Sequence, residues 1–260
     1  MKKLNEILQY ALTNSKYYRE NVEASNEKKE HLHIDDFPIL TKSILQNNLN
    51  DILVDKYHNA HIKILRTVRT TGSTGKITEL YWNEDEYNAS NIELWRLRFK
   101  WYGILPTSKQ VVFNSMMYNG SRIKYPPKIN YYGNKKILGL SKFHMDDSQL
   151  KIYLNEMEFF EPEWMMVQTS ILVRILEFLQ KYNLKLPNSI RYIELNGEMT
   201  PQSTRERFDT FFKIPIADMY GATEVNAIAY ECPFHNKHIL KRFDTLNVIF
   251  YTIHIYFLKF

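Results

Sequence analysis

The chain has 260 residues, 44% of them hydrophobic and 24% charged, the make-up of a globular protein long enough to bury a large core. Lys and Arg number 34 against 29 Asp and Glu, a formal charge of +5 that suits an anionic small molecule; the basic residues are scattered, with no Arg-rich run interleaved with aromatics, which argues against nucleic acid as partner. The single cysteine, Cys232, excludes an internal disulfide framework and fits a reducing compartment. Asn5, Glu6, Gln9 and Asn14 interrupt any apolar signal segment, and no run of about 20 apolar residues occurs, so no membrane span and a cytoplasmic location are expected.

Leu4, Ile7, Leu8 and Leu12 recur at helical spacing and predict a short amphipathic helix over residues 1–20. Residues 21–36 are polar and read as a surface loop. Phe37-Pro38-Ile39-Leu40 is extended and leads to a helix cap at Thr41. Residues 62–70 are β-branched and basic, a strand leading into a glycine-rich loop. Asn83 caps a helix to about Phe99, with Glu84, Asp85 and Glu86 in its first turn, where the helix dipole favours them.

Residues 110–113 predict a short strand, and 114–140, with Pro-Pro and many tyrosines, read as irregular. Asp146 or Asp147 starts another helix. Residues 164–181 predict one further helix, with Ile171, Ile175, Leu176 and Leu179 on one face. A turn and strand follow over 187–195, a helix over 201–212 opened by Thr200-Pro201, and a strand over 214–219. Helices alternating with strands define an α/β domain with a partly parallel sheet.

Two segments carry chemistry. Arg69-Thr70-Thr71-Gly72-Ser73-Thr74-Gly75-Lys76 groups hydroxyls, glycines and a cation after a predicted strand. Glycines let backbone N–H groups approach a polyphosphate, hydroxyls donate to it, and Lys neutralises it. The Walker A pattern is not met: position 70 is Thr, and Ile77 stands where Ser or Thr should follow the Lys. The plain alternative is a Ser/Thr/Gly surface turn. Further on, Asp218-Met219-Tyr220-Gly221-Ala222-Thr223-Glu224 follows a strand and offers a flat ring, a hydroxyl and a carboxylate for a hard cation. The plain alternative there is a Gly turn with a helix beginning at Thr-Glu.

Taken in order, these segments resemble the adenylate-forming superfamily of acyl-CoA synthetases and luciferases. Within it they look most like the phenylacetate–CoA ligase branch, which includes homologues from capsular polysaccharide gene clusters. Tyr17-Tyr18-Arg19 and residues 37–42 look like the branch's N-terminal signature, and Ile193-Glu194-Leu195-Asn196-Gly197-Glu198 like its adenine-lining segment. Residues 218–224 match its Tyr-Gly-x-Thr-Glu element, and Ala229-Tyr230-Glu231-Cys232 with a following His resembles its next segment.

The resemblance implies the large α/β N-terminal domain of such an enzyme and ATP-dependent activation of a small carboxylic acid to an acyl-adenylate, with CoA as acceptor. By the same resemblance Thr71, Gly72, Ser73, Thr74, Gly75 and Lys76 wrap the β- and γ-phosphates of ATP. Gly197 and Glu198 border the adenine and acyl pocket, Tyr220 and Gly221 receive the adenine, and Asp218 sits near its amino group. Thr223 reaches the α-phosphate and Glu224 ligates Mg²⁺, with Thr223, Glu224 and Lys76 as the catalytic set.

Ile77 departs from the proline common in the family. No counterpart follows Glu224 for the family's ribose-binding Asp, hinge Arg or C-terminal subdomain with its Lys. The expected organisation is therefore a truncated N-terminal domain over 1–246 and an atypical apolar tail over 247–260. A separately encoded C-terminal half is the expected partner, and a catalytically inactive remnant the alternative. Cys232, His235 and His238 are also weighed as zinc ligands, against a structural cysteine with surface histidines. His144 is weighed as a pocket residue against a helix-flanking one. Trp95, Trp101, Trp164, Phe159 and Phe160 are expected in the core.

Overall fold

A computed structural model describes residues 2–22, 32–57, 66–70, 78–114, 128–223 and 225–240. They fall into two compact units, one built from Met1–Ser90 with Thr223–Asn226, the other from Asn91–Ala222 with Ala227–Lys241.

In the first unit, α1 (Lys2–Asn14) and α2 (Lys16–Asn21) cover the expected N-terminal helix, broken at Ser15. Ser15 leaves the helical register to donate its hydroxyl to Asp51 O at 3.0 Å and to bridge Val54. Thr41 caps α3 (Lys42–Asn47), its Oγ1 accepting from Ile44 N at 3.2 Å. After α4 (Leu49–Ile52), strands β1 (Arg66–Thr70) and β2 (Thr78–Trp82) pair antiparallel, Thr70 opposite Thr78. Leu8, Ala11, Tyr18, Phe37 and Leu80 form the core, with the Tyr18 and Phe37 rings 5.4 Å apart. α5 (Glu84–Tyr102) begins where Asn83 Oδ1 accepts from Asp85 N at 2.9 Å, as its sequence predicts.

The second unit is an eight-stranded sheet in the order β10-β9-β8-β7-β6-β3-β5-β4. In chain order its elements are β3 (Gln110–Asn114), β4 (Ile129–Tyr132), β5 (Ile137–Ser141), α6 (Asp147–Phe160), β6 (Trp164–Val167) and α7 (Thr169–Lys181), then β7 (Tyr192–Asn196), α8 (Gln202–Phe212), β8 (Ile216–Ala222), β9 (Asn226–Glu231) and β10 (Lys237–Ile239). From β5 through β3, β6 and β7 to β8 the strands run parallel; β4 and β10 pair antiparallel to β5 and β9. Helices cover both faces. Met165, Val167, Ile193 and Leu195 join α6, α7 and α8 in one core, while Trp164, Met166 and Tyr192 join Leu94 and Leu97 of α5 in the other.

That two-sided burial explains one departure from the sequence reading. Residues 164–167 are a central strand, not the first turn of a helix: a strand covered on both faces reads as an unbroken apolar run with no alternation. Within residues 114–140, expected to be irregular, lie β4 and all of β5 but its last residue, joined at Gly133 and Asn134, both with positive φ. The chain beyond Val225 continues into β9, so the helix weighed as the plain alternative at Thr-Glu is not formed. Phe160 is buried, but Phe159, expected in the core, is 84% exposed because it points off the outer face of α6. Tyr131 and Tyr132 lie on the edge strand, and residues 118–127 of that tyrosine-rich stretch lie outside the described residues, as do 247–260.

Candidate functional site

In open parallel sheets, ligands bind beyond the carboxyl ends of the strands. The register pairs Val167 with Leu195 and Asn196 with Met219. One residue further along each strand, Gln168, Gly197 and Tyr220 therefore come to the same edge of the sheet.

Gly197 turns the chain at the end of β7 with φ +72°, a conformation only glycine adopts without strain. A Cβ there would lie 3.5 Å from Gln168 Nε2, whose side chain closes one side of the turn. Gln168 Oε1 in turn receives Lys142 Nζ at 3.5 Å from the segment after β5. Glu198 follows, and both its oxygens meet Ser170: Oε2 accepts from the backbone N at 2.8 Å and Oε1 from the hydroxyl at 2.9 Å. Its charge sits at the positive end of α7. Thr169 and Thr200 add a second tie, Oγ1 to Oγ1 at 2.6 Å.

Asp218 is nearly buried in β8. Its N–H donates to Glu231 Oε2 at 2.7 Å, and its Oδ2 accepts from Lys237 Nζ at 2.7 Å. Glu231 also accepts from Arg205 Nη1 at 2.9 Å and meets His235 Nδ1 at 2.8 Å. Burial alone would favour a neutral Arg205, but the hydrogen bond and charge of Glu231 outweigh it and hold the guanidinium above its ordinary value. Tyr220, at the end of β8, is 55% exposed, with Gly221 beside it. Thr223 belongs to the other unit, where its carbonyl accepts from Trp82 Nε1 at 3.3 Å.

Of the sequence-predicted site, Thr71, Gly72, Ser73, Thr74, Gly75, Lys76 and Glu224 lie outside the described residues. Gly197, Glu198, Asp218, Tyr220 and Gly221 share one unit, on the adjoining strands β7 and β8 and the turn after β7. The zinc alternative finds no support: His235 is engaged by Glu231, the His238 ring lies 5.2 Å from that of Trp101, and Cys232 is buried. Among the described residues no group of three or more His, Cys, Asp or Glu is placed to hold a metal. His144 Nδ1 is 3.1 Å from Ser141 Oγ, beside the helix that follows.

Sequence reasoning missed the groups that support this edge. Arg98 on α5 and Glu194 in the middle of β7 form a buried ion pair, which the hydroxyls of Tyr192 and Tyr230 join at 3.3 and 3.0 Å from Glu194 Oε2. Burial opposes charge on Arg98, yet Glu194 holds the guanidinium above its ordinary range; burial and then Glu194 raise both tyrosines. Gln168 and Ser170 were hidden because the strand before them was read as helix. A Thr-Ser pair opening a helix was the one available signal.

The architecture is that of the adenylate-forming CoA ligases. 2-Hydroxyisobutyryl-CoA ligase, solved with 2-HIB-AMP and CoA in the thioesterification state, superposes with a TM-score of 0.63 at 15% identity, over 94% of this chain and 53% of that one. Its open conformation, also with 2-HIB-AMP and CoA, gives 0.62 at 14% identity, over 89% of this chain and 51% of that one. In sequence, the chain is similar to Protein CapK of Staphylococcus aureus, with 27% identity over 232 residues, 85% of this chain and 49% of that protein. It thus spans about half the length of each of these proteins. No protein-family model matches it. Among the described residues, no helix is long and apolar enough to cross a membrane.

Proposed function

We propose that the chain carries the nucleotide-handling part of an AMP-forming carboxylic acid ligase. The observation behind this reading is the neighbourhood of Gly197 and Tyr220 at the carboxyl edge of β7 and β8. A flat, exposed ring beside a turn whose backbone a ligand can approach suits a purine base. The complexes of 2-hydroxyisobutyryl-CoA ligase with an acyl-AMP and CoA support extending the chemistry to acid activation and thiol transfer.

In this reading Tyr220 stacks on the adenine, the backbone of Gly197 and Glu198 borders it, and Asp218 lies near its amino group. Residues 71–76 wrap the β- and γ-phosphates, with Lys76 offsetting their charge, and Thr223 donates to the α-phosphate. A carboxylate oxygen of the substrate attacks the α-phosphorus and the bond to the bridging oxygen breaks, giving acyl-adenylate and pyrophosphate. The thiol of CoA then attacks the acyl carbon and AMP leaves. Stabilising the charge on the phosphates is the protein's main contribution. Mg²⁺ enters as part of the ATP·Mg²⁺ substrate, with Glu224 proposed to face it. The complete reaction is proposed for an assembly that includes a C-terminal portion, on this chain or a separate one.

ATP·Mg²⁺ should raise the melting temperature, since a ligand bound only by the folded state must stabilise it, and Gly72→Val or Glu224→Ala should abolish the shift. Pyrophosphate release across a panel of carboxylic acids then reads turnover. A shift without release would favour nucleotide binding alone, and no shift would sink the reading.

A further inference from the structure

The geometry points to Ser170 and Glu198 as a clamp that fixes the turn after β7, which makes the Glu198 side chain a positioning group and not a ligand contact; this inference rests on the nucleotide reading above. Both carboxylate oxygens of Glu198 are engaged by one residue, at 2.8 Å to Ser170 N and 2.9 Å to Ser170 Oγ. A carboxylate that accepts from a helix's first-turn N–H and stands at its positive end is held in one orientation. Thr169 and Thr200 repeat the tie at 2.6 Å, so the segment from Gly197 to Thr200 is fastened at two points to the first two residues of α7.

Apolar packing does not do this job. Met199, the side chain between the two ties, is 88% exposed, and Gly197 offers no side chain. Polar ties alone then decide how the backbone of residues 197–199 faces the edge shared with Tyr220. Removing the clamp should leave the core untouched and loosen the surface proposed to border the base. Ser170, which no ligand contact requires, should matter in the same direction as Glu198 but less, because its backbone N–H keeps its bond when the side chain is truncated.

The test uses the full chain and the variants Glu198→Ala, Ser170→Ala, their combination and Glu198→Gln. Amide hydrogen exchange at Ser170 and at 197–200 should quicken in Glu198→Ala. Affinity for ATP·Mg²⁺ should fall about fivefold, the loss expected for one net hydrogen bond. Ser170→Ala should weaken binding in the same direction, and the double variant should be no weaker than Glu198→Ala. Glu198→Gln keeps an acceptor for the Ser170 N–H and should retain most of the affinity. Unchanged exchange in Glu198→Ala, or losses that add in full, would overturn the clamp. If the parent chain shows no affinity for ATP·Mg²⁺, the nucleotide reading falls, and the exchange measurement still decides the clamp.

Discussion

The Arg98 guanidinium and the Glu194 carboxylate meet through two parallel hydrogen bonds, Nε to Oε2 at 2.8 Å and Nη2 to Oε1 at 2.5 Å, with both side chains buried. The pair fastens α5 to the centre of β7, the strand that ends in the Gly197 turn. Arg98 also lies over the Trp95 and Trp164 rings, 4.3 and 5.1 Å from their centroids, so its charge is met on several sides. Removing one partner leaves the other buried and uncompensated. Arg98→Met should therefore cost about 3–5 kcal/mol, while the double variant Arg98→Met/Glu194→Leu should recover much of that loss. Urea unfolding of the two single variants and the double checks this. Single losses that simply add would show that the two residues do not act as a pair.

Gly197→Ala should destabilise by about 1–2 kcal/mol, the cost of placing an L-residue in the left-handed region. The added methyl would meet Gln168 Nε2 at 3.5 Å, an ordinary contact, so the cost is conformational and not steric. Gln168→Ala should then fail to rescue Gly197→Ala in the same unfolding measurement. Rescue would mean that crowding, not φ, sets the demand for glycine.

What the sequence made legible was local. Thr41, Asn83 and Asp146 each cap the helix that follows, because a cap needs only a side-chain oxygen two or three residues ahead of its donor. The α/β alternation and the strands leading to Gly197 and Tyr220 were readable for the same reason. Strand β6 was not, since Trp164, Met165, Met166 and Val167 alternate between two covered faces and leave no period to detect. Nor were the pairs that hold the candidate site, because Arg98 reaches Glu194 and Ser170 reaches Glu198 only after the sheet has brought their elements together.

Tyr220→Ala separates the site from the fold. The ring is more than half exposed, so its loss should leave the unfolding free energy from urea titration within about 0.5 kcal/mol of the parent. If it stacks on the adenine, affinity for ATP·Mg²⁺ should fall by about 1–3 kcal/mol, roughly five- to 150-fold. Tyr220→Phe should keep most of that affinity, because the flat face is retained. Calorimetry on the three proteins decides the point, and an unchanged affinity in Tyr220→Ala would remove Tyr220 from the site.

Glu86 supplies a pH dependence with a definite sign. It stands in the first turn of α5, where the helix dipole favours a charged carboxylate, yet burial pushes its carboxyl up to about 7; Lys56 opposes that shift and Asp85 adds to it. Its Oε2 is buried and has no hydrogen-bond partner among the described residues, so charge on that oxygen is poorly compensated. Between the ordinary carboxylate value near 4.5 and about 7, the folded chain holds the proton that the unfolded chain has released. Stability from this group is therefore present at the acid end of the window and lost as pH rises through it. Glu86→Gln removes the titrating group and keeps the shape. The parent's melting temperature should drop more steeply between pH 5 and pH 8 than the variant's, and the variant should be the more stable of the two at pH 8. Parallel melting curves across that range would show that Glu86 ionises without cost.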